Sequence, residues 1–136
     1  MKKKIFDKIK EIEKYISELE KIIPESISKY KKDFKTKAAC ERYFEKIIEA
    51  IVDLAFLIIK RKNYSIPEED KESFEILSKE EIISTTLCNK LKDAKGMRNI
   101  IAHEYGKIDD AIVFNSITEE IISDALELIE KIKKKI

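Results

Sequence analysis

The sequence is poor in the residues that end helices and shape turns. Its 136 residues include two glycines, two prolines and no tryptophan, whereas 43% are hydrophobic and 40% are charged. A fold built from strands and tight turns needs more glycine than this, so the composition predicts an all-α protein. The length suits one hydrophobic core, and we expect a single domain over residues 1–136.

The scarcity of cysteine and of net charge excludes several classes of protein. Cys40 and Cys88 are the only cysteines. Two cysteines and one distant histidine are poorly suited to bind zinc. We expect both cysteines to be buried thiols in a reducing cytoplasm. The net charge of +1 excludes a general polyanion binder, so any contact with nucleic acid must be local. Neither a signal peptide, a membrane span nor a Gly-rich phosphate loop is recognisable. We therefore expect a cytoplasmic protein without metal, cofactor or membrane contact.

The spacing of apolar residues predicts a bundle of four main helices with one or two short ones. The main helices are expected over residues 3–23, 35–62, 85–103 and 110–134. Residues 25–34 are expected to form a short helix or a loop, and residues 69–78 a short helix. Ser84 and Asp109 are suited to cap the third and fourth main helices. Gly96 interrupts the third, where we expect a side chain to crowd a neighbour.

The second main helix is apolar on all sides between residues 47 and 59, except at Glu49 and Asp53. Such a helix is expected at the centre of a bundle or of a dimer core. The two carboxylates lie four residues apart on one face, and each needs a partner within an apolar helix. Either they form structural pairs on the rim, or one of them orients Arg98 or His103 across the bundle.

The rarest polar residues of the chain are concentrated in residues 95–106. The only histidine, His103, and one of three arginines, Arg98, lie there between the only two glycines, Gly96 and Gly106. Arginine is notable in a chain with 25 lysines, because its planar fork suits phosphate oxygens better than an ammonium does. Histidine can move a proton near neutral pH. A fixed cation and a group of this kind are what RNA cleavage needs when a 2′-hydroxyl attacks its own phosphodiester without a metal ion.

A helical projection places the four polar residues of this stretch on one side. Arg98, Asn99, His103 and Tyr105 share an arc of about 160°, with Arg98 and His103 about 140° apart. The opposite side carries two isoleucines, at positions 100 and 101, which we expect to face the core. Arg98 and His103 therefore flank a groove, or they meet the same pair from a second copy of the chain.

The order Arg-Asn-x-x-x-His-x-Tyr resembles the Arg-x4-His motif of HEPN domains. Tyr105 after the histidine and Gly96 before the arginine are similar to the HepT branch, the ribonuclease toxins encoded beside a small nucleotidyltransferase antitoxin. The resemblance extends over roughly residues 38–125 and includes the Glu49–Ala55 part of the second main helix. Leu57 departs from the pattern, since a polar residue is expected there.

This resemblance implies a HEPN-like bundle that forms a two-fold homodimer. It implies a metal-independent endoribonuclease that leaves a 2′,3′-cyclic phosphate, with Arg98 and His103 as catalytic residues. Asn99, Glu49 and Asp53 are the expected supporting residues. The expected partners are RNA and an MntA-like nucleotidyltransferase antitoxin, for which Tyr105 would be the acceptor of AMP. The alternatives are a non-catalytic partner subunit or nucleotide-binding module for a nucleotidyltransferase, and a plain helical interaction domain.

Overall fold

Helices form nearly all of the secondary structure in the residues that the computed structural model describes, 1–103 and 109–136. They are α1 (Lys2–Ile22), α2 (Ile27–Lys32), α3 (Phe34–Arg61), α4 (Asp70–Lys79), α5 (Thr85–His103), α6 (Asp110–Asn115) and α7 (Ile121–Lys135). A π-helical segment, Ser116–Glu120, joins α6 to α7. The all-α prediction is confirmed, and α1, α3 and α5 lie within one residue of their predicted bounds.

Side-chain caps define the helix starts that matter for the motif. The Ser84 hydroxyl accepts a hydrogen bond from the Leu87 amide at 3.0 Å, and the Asp109 carboxylate accepts one from the Ala111 amide at 2.9 Å. Both caps were predicted from the sequence. Each satisfies an amide that has no partner within its helix, which typically contributes about 1 kcal/mol. The motif helix α5 is thus fixed at its start, more than three turns before Arg98.

Helix α3 lies at the centre of the bundle and contacts α1, α2, α4, α5 and α7. Its apolar residues from position 47 onward are nearly all buried within the chain itself, namely Ile47, Ile48, Ala50, Ile51, Val52, Leu54, Ala55, Ile58 and Ile59. Helix α1 packs against it through a buried stripe of apolar residues, namely Ile5, Ile9, Ile12, Ile16 and Leu19. The apolar character of α3 is therefore explained by its position in the bundle, and little of that surface is left for a second chain.

Two expectations about α5 were wrong. Ile101 is fully buried as expected, but Ile100 is 42% exposed, because it lies about 180° around the helix from the buried Leu91. Helix α5 also runs without interruption through Gly96. A side chain at Gly96 would meet only the flexible Lys71 ammonium, at 3.5 Å, so no close neighbour requires glycine there.

The π-helical segment explains an irregular spacing in the last part of the chain. Val113, Ile117, Ile121 and Ala125 are all buried, although they are spaced by four residues each time. Each four-residue step on an α-helix advances about 40° beyond a full turn, so three steps would carry the stripe away from the core. The wider π turn absorbs this excess. The sequence predicted one regular helix over residues 110–134, whereas the structure has two α-helices joined by a π-helical segment.

Both cysteines are buried free thiols, as expected. Burial raises the pKa of Cys40 to about 11 and also raises the pKa of Cys88. Neither thiol is therefore suited to act as a nucleophile near neutral pH.

Within the described residues, no helix has the length and apolar character needed to cross a membrane.

Asp124 is a buried carboxyl, only 5% exposed, in a cavity of about 230 Å³ between α5 and α7. Burial raises the pKa of this group, the nearby Lys90 opposes the rise, and the carboxylates of Glu120 and Glu127 add to it. The folded protein therefore binds the Asp124 proton more tightly than the unfolded chain does. The stabilisation that this proton provides is complete below the unfolded pKa and is lost as the pH rises through the folded pKa.

We expect Asp124→Asn to raise the melting temperature at pH 7 by roughly a few degrees, because the amide avoids burying a charge. The gain should disappear in acid, below a pH of about 4, where Asp124 is protonated in both states. Thermal unfolding across a pH series measures this. Asp7→Asn is the control, since Asp7 forms only an exposed 3.6 Å pair with Lys3. A loss of stability at every pH would mean that the carboxylate is well paired.

Candidate active site

The inner face of α5 brings Arg98 against the middle of α3. Arg98 lies seven residues after the buried Leu91, which is two helical turns along the same face. Its guanidinium donates a hydrogen bond from Nη2 to Oε1 of Glu49 at 2.7 Å. The Arg98 side chain is 22% exposed and the Glu49 side chain 40% exposed, so the pair is at the edge of the bundle. Of the two predicted carboxylates, Glu49 is the one that contacts the motif.

A second arginine reaches the same carboxylate. Arg42 lies two turns before Glu49 on α3, and its Nη1 is 3.8 Å from Glu49 Oε1. The same nitrogen is 3.1 Å from Oε2 of Glu45. Sequence analysis missed Arg42, although its rarity was a usable signal, because the polar residues of α3 were considered only between positions 47 and 59.

Arg98 retains donors for a further ligand. A guanidinium carries five N–H groups, and Glu49 occupies one of them with a charge-assisted hydrogen bond. The Nε atom of Arg98 is buried and has no hydrogen-bond acceptor within residues 1–103 and 109–136. Glu49 thus fixes the orientation of the guanidinium without saturating it.

Asn99 and His103 lie on the exposed side of α5, away from Arg98. Within the described part of the chain, no hydrogen bond joins Asn99 to His103 or either of them to Arg98. His103 is the last residue of α5, about 140° around the helix from Arg98. A substrate that contacts both side chains of one chain must therefore reach around the helix, or it must take the two groups from different chains.

Asp53 is not brought to Arg98 or His103. It is 62% exposed and pairs with Lys8 of α1 at 3.4 Å, so its observed role is a surface contact between α1 and α3. Leu57, one turn later, lines a groove of about 730 Å³ together with Phe56 and Tyr64.

The expected acceptor Tyr105 lies outside the described residues. No cluster of three or more potential metal ligands occurs in the parts of the chain that the structure describes.

Comparison with known proteins identifies relatives over nearly the whole chain. It is 27% identical over 129 residues to the mRNA nuclease HepT of Shewanella oneidensis, covering 95% of this chain and 96% of that one. It is 28% identical over 107 residues to the tRNA nuclease HepT of Aphanizomenon flos-aquae, covering 79% and 73% of the two chains.

The fold is also close to that of a solved complex. The tri-AMPylated HEPN toxin of Shewanella oneidensis, bound to its MNT antitoxin, superposes with a TM-score of 0.89 at 27% identity, covering 96% of each chain. The resemblance of the sequence to HepT proteins is thereby confirmed. A family model described as ribonuclease HepT-like matches residues 12–133, and this chain therefore belongs to the ribonuclease HepT-like family.

Proposed function

We propose that the protein is the endoribonuclease toxin of a cytoplasmic toxin–antitoxin pair, and that it cleaves RNA without a metal ion. The observation that carries this proposal is the partly buried Arg98, held by Glu49 at 2.7 Å as its one side-chain partner among the described residues, on the helix that also carries the exposed His103. A structural role alone would not need one of the three arginines of the chain on the same helix as its only histidine. The nuclease relatives support the same activity.

The chemistry follows from what each group can do. The ribose 2′-oxygen attacks the adjacent phosphorus, the bond from phosphorus to the 5′-oxygen breaks, and the products are a 2′,3′-cyclic phosphate and a 5′-hydroxyl. His103 takes the proton from the 2′-hydroxyl and returns a proton to the leaving 5′-oxygen. Arg98 binds the phosphoryl oxygens, which gain negative charge in the transition state. Asn99, one turn before His103, positions the imidazole or the substrate from the same exposed face.

A two-fold homodimer would complete this site. Arg98 faces α3 while His103 faces outward from the end of α5, and the two do not contact each other in one chain. A two-fold axis beside the ends of the two α5 helices would bring Arg98 of one copy towards His103 of the other. The dimer is therefore part of the proposal, supported by the separation of the two side chains rather than by unburied apolar surface on α3.

We expect His103→Ala and Arg98→Ala each to abolish cleavage of single-stranded RNA while leaving helicity and melting temperature close to wild type. Arg98→Lys should also be poorly active, because the charge is kept but the planar fork is lost. Product analysis should give cyclic phosphate ends, and EDTA should leave the rate unchanged. Normal cleavage by His103→Ala, or complete inhibition by EDTA, would reject the mechanism.

Co-expression of the two inactive chains tests whether the site is shared. A dimer with one Arg98→Ala chain and one His103→Ala chain has one cleft with both wild-type groups, so part of the activity should return. Sedimentation of the same sample should show a dimer. No recovery from a verified mixed dimer would place both groups of each site on one chain.

We propose Glu49 as a positioning residue for Arg98. Glu49→Ala should lower kcat by roughly 10- to 100-fold, because the guanidinium loses its fixed orientation. Glu49→Gln should retain more activity, since the amide oxygen can still accept the Arg98 hydrogen bond. Steady-state kinetics of both variants, with melting temperatures, measure this.

Asp53→Ala is the matched control for Glu49. It removes a carboxylate from the same face of α3 one turn later, but one that pairs with Lys8. We expect its kcat to stay near that of wild type. Equal losses in the Glu49 and Asp53 variants would show a general effect of charge or stability and would remove the positioning role.

Control of the toxin is the third part of the proposal. We propose that a nucleotidyltransferase antitoxin transfers AMP to Tyr105, whose oxygen attacks the α-phosphorus of ATP and displaces pyrophosphate. The tri-AMPylated state of the Shewanella oneidensis relative supports this regulation. Tyr105 is two residues after His103. An added phosphodiester there would repel the RNA backbone and compete with it for Arg98.

Incubation with the antitoxin encoded beside this protein, ATP and magnesium should increase the intact mass in steps of one AMP and stop cleavage. Tyr105→Phe should show neither effect, because it lacks the acceptor oxygen. Tyr64→Phe is the control, since it removes a phenol hydroxyl elsewhere on the chain. The same additions on Tyr105→Phe would assign the modification to another residue, and an unchanged mass with an active partner would leave steric covering as the means of control.

A further inference from the structure

Two of the three arginines in the chain share one carboxylate oxygen. Arg98 contacts Glu49 Oε1 at 2.7 Å from α5, and Arg42 approaches the same oxygen at 3.8 Å from α3. The chain otherwise carries its positive charge almost entirely on lysines. Glu49 therefore keeps two planar guanidiniums close together, on two helices whose relative position is fixed by the core.

Arg42 is the accessible member of this group. Its side chain is 57% exposed, against 22% for Arg98. Its shorter contact is with Glu45, three residues later on the same helix, at 3.1 Å. Pairs of this kind at a protein surface are weak and screened by salt, so an arriving phosphate can compete for the Arg42 donors. Arg98, in contrast, remains held from the inner side of the site.

A lysine extends the positive surface one turn along α3. Lys46 lies four residues after Arg42, and its ammonium is 5.3 Å from the ring centre of Tyr15 and 5.5 Å from that of Tyr43. No ion pair of Lys46 with a carboxylate occurs within the described residues. Lys46 thus lies between Arg42 and Glu49 along the axis of α3, with its ammonium beside the rings of Tyr15 and Tyr43.

We propose that Arg42 is a second phosphate-binding residue of the RNA site, which binds a backbone phosphate next to the one held by Arg98. This inference rests on the proposed ribonuclease function. Single-stranded RNA presents phosphates in succession, and two guanidiniums that share one carboxylate can each bind one of them. Glu49 sets the spacing of the two guanidiniums. Arg42 binds substrate and does not take part in proton transfer.

The test compares Arg42→Gln with Arg61→Gln. Each removes one arginine charge from an exposed position on α3, and the two positions lie roughly 29 Å apart along the helix axis. Binding of a short labelled single-stranded RNA of mixed sequence is measured over a range of salt concentrations, in the His103→Ala background so that the RNA is not cut. Cleavage kinetics of the same probe are measured with His103 present, and sedimentation reports the oligomeric state.

Arg42→Gln should reduce the slope of log affinity against log salt by about 0.7, the value for one lost phosphate contact on a single strand. It should raise KM by about tenfold with kcat nearly unchanged, whereas Arg61→Gln should match the parent protein. Arg42→Lys keeps the charge without the fork, so it should keep the salt slope and lose only part of the affinity. It also serves as the second variant if Arg42→Gln folds poorly.

Four results would overturn the inference. Identical salt slopes and KM values for the Arg42 and Arg61 variants would remove the phosphate contact. A lower kcat with an unchanged salt slope would make Arg42 a support for Glu49 instead. Dissociation of a dimer together with the loss of binding would assign this surface to a contact between copies. If the wild-type protein neither binds nor cleaves RNA, while it is folded, the proposed function itself fails along with this inference.

Discussion

Arg98 carries a permanent positive charge on the packed side of α5, where only 22% of its side chain remains exposed. A charge in that position requires a counter-charge, and Glu49 provides it from the helix at the centre of the bundle. Because α3 contacts most other helices, the guanidinium is fixed relative to the whole fold. Directing Arg98 inwards also leaves Asn99 and His103 on the outer side of α5. The exposed histidine and the held arginine are thus two consequences of one ion pair.

The same pair limits how strongly the protein can attract RNA at a distance. The net charge is +1, and the cations near the site are accompanied by Glu45 and Glu49. The electrostatic field of such a protein attracts nucleic acid only weakly at long range. Recognition of the proposed RNA substrate therefore has to come from short hydrogen bonds with aligned donors. This suits arginine better than lysine and gives a physical reason for the use of two of the rare arginines at one carboxylate.

Much of the fold was predictable because it depends on local rules. Apolar spacing located α1, α3 and α5, and the hydroxyl and carboxylate caps at Ser84 and Asp109 located two helix starts. The π-helical segment was not predicted, although four-residue steps in the buried stripe were its visible sign. Ile100 was misplaced although a helical projection that includes Leu91 puts the two residues on opposite sides of α5, and Leu91 marks the buried side.

The candidate site was predictable in part. Rarity alone singled out Arg98 and His103, and the carboxylates of α3 were recognised as possible partners. Which carboxylate meets Arg98 could not be derived, because Glu49 and Asp53 lie on the same face and only the crossing of α5 over α3 decides between them. The approach of Arg42 depends on the same crossing. Contacts between helices distant in the sequence are thus the part that a single sequence does not determine.

The π-helical segment between α6 and α7 also affects where the chain can change in length. A π turn holds one residue more than an α turn at the same place in a helix. Loss of one residue within Ser116–Glu120 would turn this segment into a regular α-helix. Helix α6 would still contact α2, and helix α7 would still contact α1, α3 and α5. We therefore expect a change of length by one residue in this segment to leave the packing of α6 and α7 unchanged. When sequences of different length are aligned with this one, a single-residue gap in the last helix belongs in that segment.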